Sequence, residues 1–402
     1  MRITRIFLVV LPLLAGCGHP VGVMAPVPAA SASTGAKQVS MLVATTRQPS
    51  GDPATLFNGE RSPKPYLTDL AVSIPPKRAA GTVQWPKRLP ADPRTDFAVT
   101  RVRQIDTLPE GRTWFRQHIE GGHALVFVHG FNNRYEDAVF RLAQIVSDSG
   151  MKATPILFTW PSRAQLTGYE YDKESTNYSR TALEQALRVL AQDPNVKDIT
   201  ILAHSMGTWL AMESLRQMGI RDGHVNPKIR DVILASPDID IQVFAKQFVE
   251  MGKPAPKLTI FVSQDDRALA ASSFITGNVS RLGAIDPSAE PYRSRLEKAG
   301  ITAIDLTKVK AGDGLHHGKF ASSPEIVQLI GQRLMTGQPL TDPNISLGDG
   351  LTAVVDGSVR TIGNVAATAV AAPVTVLEQR PRPKSDIDDT LQSGSDPKAL
   401  TN

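Results

Sequence analysis

The strongest constraint on the fold is a rhythm that begins at residue 124. Short apolar, β-branched runs alternate with longer segments of helical spacing. The runs are Ala124–Val128, Pro155–Thr159, Ile199–Ala203, Val232–Ala235, Leu258–Val262 and Thr302–Leu306. The segments between and after them are Tyr135–Ser149, Tyr178–Gln192, Thr208–Met218, Val243–Met251 and Pro324–Met335. A strand that is apolar at every position must be covered on both faces, and the helices between strands supply the cover. The pattern predicts an α/β fold with a mainly parallel sheet and helices on both faces. Three earlier runs, Val39–Ala44, Leu70–Ile74 and Phe97–Val102, have no helical segments between them. They predict an antiparallel portion where the sheet begins.

The first residues read as an address. A basic head with Arg2 and Arg5 precedes the apolar run Ile6–Leu14, which is too short to span a bilayer and right for a signal peptide. It ends in Leu14-Ala15-Gly16-Cys17, and Cys17 is the only cysteine in the chain. This resembles the lipobox of bacterial lipoproteins, in which the chain is cut before the cysteine and its nucleophilic sulfur carries diacylglycerol. The resemblance implies a signal peptide over residues 1–16 and a membrane anchor at Cys17. Gly18 follows it, not Asp, which by the same resemblance implies the outer membrane, with the body in the periplasm. Residues 17–37, rich in Pro, Ala and Ser, read as the lipidated cysteine and a flexible tether. The hydrolytic body is expected over 38–337 and a partly disordered extension over 338–402. In that extension Val359, Ile362, Ala366, Ala369 and Val370 fall on one face of a short Ala-rich helix.

One cysteine excludes a disulfide framework and any cysteine-based metal site. A net charge of +5, dispersed along the chain, gives no nucleic-acid footprint. No phosphate loop, paired histidine motif or spaced acidic metal cluster is present, so no cofactor and no metal are expected.

The chemistry centres on Ile199-Thr-Ile-Leu-Ala-His-Ser205-Met-Gly207, a strand that runs into a helix with serine at the turn. It resembles the G-x-S-x-G nucleophile elbow of α/β hydrolases, with Ala203 where the first glycine stands. Upstream, Ala124–Val128 leads into His129-Gly130-Phe131, which resembles the oxyanion loop of that fold. The amides of Phe131 and Met206 are then the donors for a tetrahedral intermediate, and His129 is structural. His316 and His317 follow the last sheet strand, where the order Ser, Asp, His puts the base. By the family's pattern of histidine, two residues and an aromatic, here Phe320, His317 is the better match. The acid has three candidates. Asp266 stands where the family's acid stands, Asp265 is its neighbour, and Asp238 ends the preceding strand. Trp160 and Tyr169, in the loop after Pro155–Thr159, are expected to line the substrate pocket.

Together these segments resemble a proteobacterial group of α/β hydrolases, labelled esterase/lipase superfamily and of unknown function, over about residues 39–335. Leu42-Val-Ala-Thr-Thr-Arg47, Phe57-Asn-Gly-Glu-Arg61, Phe158-Thr-Trp-Pro-Ser-Arg163 and Ser236-Pro-Asp-Ile-Asp240 carry the likeness beyond the serine, histidine and acid. It implies the α/β-hydrolase fold and a serine hydrolase acting on a small-molecule or lipid ester. Acyl transfer or amide cleavage on the same residues, or a non-catalytic binding lipoprotein, are the alternatives.

Overall fold

The computed structural model describes residues 19–28, 35–310, 312–336, 351–355 and 358–362. Strands β1 (Lys37–Pro49), β2 (Phe57–Ile74) and β3 (Ala98–Ile105) come first, followed by helix α1 (Leu108–His118). Then β4 (His123–Val128), α2 (Tyr135–Ser149), β5 (Thr154–Thr159), α3 (Tyr169–Gln192), β6 (Asp198–His204) and α4 (Met206–Asp222) alternate. The alternation continues through β7 (Ile229–Ala235), α5 (Ile241–Glu250), β8 (Lys257–Val262), α6 (Arg267–Ile275), α7 (Tyr292–Ala299) and β9 (Thr302–Asp305). Helices α8 (Lys319–Ser322) and α9 (Pro324–Thr336) and the hairpin β10 (Leu351–Val355) and β11 (Ser358–Ile362) complete it.

All the strands join one sheet in the order β11-β10-β9-β8-β7-β6-β4-β5-β1-β2-β3. The stretch from β9 to β1 is parallel, and the strands at both margins are antiparallel. Alternate residues of each inner strand feed two separate cores. Val126, Ile201 and Leu234 pack under α1, α3 and α4, whereas Phe127, Leu202 and Ile233 pack under α2, α8 and α9. The middle of such a strand is buried at every position, which is why the inner strands read as unbroken apolar runs.

The structure corrects four expectations. Helix α3 starts at Tyr169, nine residues before the expected Tyr178. Its first turns bury Asp172, Ser175, Thr176 and Ser179 instead of apolar residues, so hydrophobic periodicity does not register them. Helices α1, α6 and α7 are not expected either: they bury few apolar side chains, Trp114 and Phe115 in α1, Leu269 in α6 and Leu296 in α7. In the extension, Val359 and Ile362 lie in β11, not in a helix. β10 pairs with β9, so part of the extension continues the body's sheet. Ala366, Ala369 and Val370 lie outside the described residues. Finally, the segment read as a flexible tether packs on the body from His19 to Val27. Val23 and Met24 are buried, and the amides of Met24 and Val27 donate to the Ala54 and Val99 carbonyls. Three apolar side chains and two backbone bonds offset the entropy of ordering that short stretch.

Candidate active site

Ser205 sits between β6 and α4 with φ 52° and ψ −126°. A non-glycine residue is held there only when its surroundings over-determine it. The Ser205 amide donates to the Ala235 carbonyl at 2.9 Å, and its carbonyl accepts the Thr208 hydroxyl at 2.6 Å. Gly207 is needed for close approach: a Cβ there would lie 2.2 Å from the His129 carbonyl oxygen. Gly130 faces the serine itself, since its Cβ would come within 2.7 Å of Ser205 Cβ. The turn at Ser205 and the loop after β4 are therefore in van der Waals contact. Ala203 is wholly buried in β6, so the site accommodates the methyl group that replaces the expected glycine.

The loop after β4 is braced from below. His129 is buried; its Nδ1 donates to the Gly130 carbonyl at 2.8 Å and its Nε2 accepts the Trp160 amide at 3.2 Å. Burial, aided by the nearby Arg47 guanidinium, pushes this imidazole down to about 3, so it stays neutral and cannot serve as a base at neutral pH. Arg47, also buried, donates to the carbonyls of Asn133 and Ser162. Burial lowers it to about 10, which leaves it charged. Asp172 accepts the amides of Asn132 and Arg163. These two residues secure the loop that presents Phe131. Arg47 lies in a segment that carries the family likeness, but nothing local marks either residue as a support. The amides of Phe131 and Met206, the expected oxyanion donors, have no protein acceptor among the described residues.

The pocket expectation needs one correction. Trp160 is wholly buried, its indole N–H donates to the His129 carbonyl at 2.9 Å, and it stacks on the His129 ring. It supports the loop after β4 from behind instead of lining an open pocket. Tyr169 meets the edge of Phe131 at 5.4 Å between ring centroids and bonds Ser272 and Asp238 through its hydroxyl. A cavity of about 600 Å³ lined by Leu67, Phe115, Phe158 and Leu190 lies between β1–β3, α1 and α3, away from Ser205.

The two histidines and three acids sort by geometry. Asp266 caps α6, accepting the Leu269 amide at 3.0 Å, and its other oxygen lies 2.7 Å from His317 Nδ1. Its side chain is shut from solvent. Asp265 is 2.7 Å from His316 Nδ1. Asp238 meets neither histidine; it pairs with buried Arg281 and accepts from Ser272. The His317 ring lies 4.7 Å from that of His204, the residue before the serine. Burial, then the neighbouring His317, pushes His204 well below the usual histidine range. No hydrogen bond joins His317 to Ser205, a looseness common in sites without substrate.

One supporting residue carries no sequence signal at all. Lys319 is 1% exposed, and its ammonium bonds Ser263 Oγ, Asp265 Oδ1 and the carbonyls of Leu306 and Thr307. It straps the acid-bearing and histidine-bearing loops to the end of β9. Although burial opposes it, bonding from Lys319, Ser263 and His316 holds the Asp265 carboxyl down at about 2. Among the described residues, no group of His, Cys, Asp or Glu is arranged to hold a metal ion, and no helix is long and apolar enough to cross a membrane.

Residues 109–333 match the family described as alpha/beta hydrolase of unknown function (DUF900). Among solved structures, the siderophore hydrolase EstB from Aspergillus nidulans is similar over 77% of this chain and 98% of its own, at 12% identity and a TM-score of 0.33. No curated protein matches this chain.

Proposed function

The chain belongs to the alpha/beta hydrolase family of unknown function, DUF900, and from that premise we propose that it is a membrane-anchored serine hydrolase acting on carboxylic esters. The observation that carries the reading is the pair formed by buried Asp266 and His317 Nδ1 at 2.7 Å, beside a serine held at a strained turn. Asp266 fixes the tautomer that leaves Nε2 free to accept a proton, and it stabilises the imidazolium that results. Ser205 Oγ attacks the ester carbonyl as His317 takes its proton. The amides of Phe131 and Met206 receive the oxyanion. The alcohol leaves with the proton from His317, and an acyl-serine remains. Water then attacks the acyl group, His317 again taking and returning the proton, and the acid is released.

Anchoring rests on Cys17 and the apolar run before it. Acylation there would hold the body at the envelope, on the periplasmic side of the outer membrane.

A fluorophosphonate probe should label the parent and not Ser205→Ala. A panel of p-nitrophenyl esters should be hydrolysed by the parent, with loss of several orders of magnitude in the variant. Absence of labelling in the parent would favour the non-catalytic reading, and labelling with turnover only in the presence of an added acyl acceptor would favour acyl transfer.

A further inference from the structure

Large apolar side chains left in solvent gain meaning when they gather at one edge of a protein. Phe274 and Ile275, at the end of α6, are 78% and 55% exposed; Leu166 and Leu315 are 58% and 52% exposed. Leu166 follows β5, Phe274 and Ile275 follow β8, and Leu315 follows β9. All four therefore emerge at the C-terminal edge of the parallel strands, the edge that carries Ser205 and His317. Two bonds tie their segments together. The Tyr169 hydroxyl, three residues after Leu166, bonds Ser272, two residues before Phe274, at 2.9 Å. The Arg267 amide, which opens α6, donates to the Leu315 carbonyl at 3.0 Å.

The N-terminal segment arrives at the same edge. Val27 bonds Val99 near the start of β3, on the far side of the sheet. From there the segment runs back to His19, which stacks on Trp85 at 3.6 Å and lies 2.7 Å from Asp137 in the first turn of α2. That turn follows directly on the oxyanion loop. Cys17 precedes His19 by two residues, so no more than about 7 Å of chain separates them. The anchor is thus tethered to the catalytic edge almost without slack.

We propose that this edge faces the membrane: the apolar rim of Leu166, Phe274, Ile275 and Leu315 docks on the lipid bilayer. Ser205 then draws esters from the membrane surface rather than from bulk water. The inference rests on the anchoring and hydrolase reading above and names the substrate class, membrane-borne esters. Burying the rim in the interface removes apolar surface from water, and the anchor makes that contact intramolecular.

The test uses the full-length chain reconstituted in phosphatidylethanolamine/phosphatidylglycerol vesicles. Cys17 is the only cysteine, and once acylated through sulfur it takes no thiol label, so an introduced cysteine reports alone. Ala271→Cys, on the exposed side of α6, and Lys197→Cys, exposed before β6 at the opposite edge, are labelled with bimane. Nitroxide-bearing lipids should quench the label at residue 271 and not at 197. A label at 271 that stays unquenched, in water or beneath another protein, overturns the proposal. Changing Phe274 and Ile275 together to Ser should lower turnover of a vesicle-embedded ester about tenfold or more and leave a short soluble ester unaffected. Equal loss on both substrates, or none, overturns it too. A chain that fails to float with vesicles overturns the anchoring and the inference with it. Quenching at 271 without fluorophosphonate labelling supports the facing edge and overturns the hydrolase reading alone.

Discussion

Lys319→Met removes the charge that straps the two loops of the site while keeping most of the side-chain volume. The ammonium spreads three protons over four acceptors at 2.7–3.1 Å. Without it the carbonyls of Leu306 and Thr307 lose a donor, at about 1–3 kcal/mol for each that stays dry. Breaking a buried ion pair from one side costs about 3–5 kcal/mol. The Asp265 side chain is 36% exposed, however, so water takes over part of the load, and the desolvation of the buried ammonium is relieved. The net expectation is a loss of about 2–4 kcal/mol, or roughly 4–8 °C in Tm for a body of this size. Because Asp266 and His317 stand on the strapped loops, kcat should fall about tenfold through misplacement of the imidazole, with KM nearly unchanged. Scanning calorimetry with steady-state kinetics on a p-nitrophenyl ester measures both. A Met variant with the parent's Tm and kcat would refute the strap.

Gly207→Ala should destabilise the protein by about 3 kcal/mol or more, since its Cβ would meet the His129 carbonyl oxygen at 2.2 Å; chemical denaturation checks this, and parental stability would contradict so close an approach. His317→Ala should lose ester turnover almost as completely as Ser205→Ala, and His316→Ala far less, because Asp265 and not Asp266 meets His316; the reverse ranking would move the base by one residue. The third prediction concerns acid. The buried His129 titrates at about 3 in the fold against 6.5 for the free side chain, so between those values the unfolded chain binds a proton that the fold refuses. The stability is therefore complete above pH 6.5 and is lost as pH falls toward 3, by roughly 1 kcal/mol per pH unit. His204 acts in the same direction. Urea midpoints measured from pH 7.5 to 4.5 should fall on acidification, and a rise would contradict the neutral assignment.

What the sequence determined by itself was the layered body and the strand–turn–helix that carries Ser205. Val126, Phe127, Leu202 and Ile233 are apolar on both faces of their strands, and a local run records that burial wherever the chain places it. The serine elbow is likewise local, because the strained turn, the small residues beside it and the flanking strand and helix lie within one short stretch. Tertiary structure decided the rest where one residue's meaning depended on a distant one. Asp265 with His316 and Asp266 with His317 are both separated by 51 positions, so spacing cannot say which pair lies nearer Ser205; the loop conformation, with His316 at φ 60°, sets the His317 ring 4.7 Å from that of His204. The first turns of α3 bury hydroxyls and a carboxylate, so apolar periodicity has nothing to register there; Asp172 meets Ser162 and Ser179 meets Thr46, partners that only the folded body supplies. Lys319 looks like any solvated lysine until four oxygens from two separate segments converge on its ammonium. Apolar burial leaves a pattern along the chain, whereas a polar contact needs both partners in place, and only the packed fold brings them together.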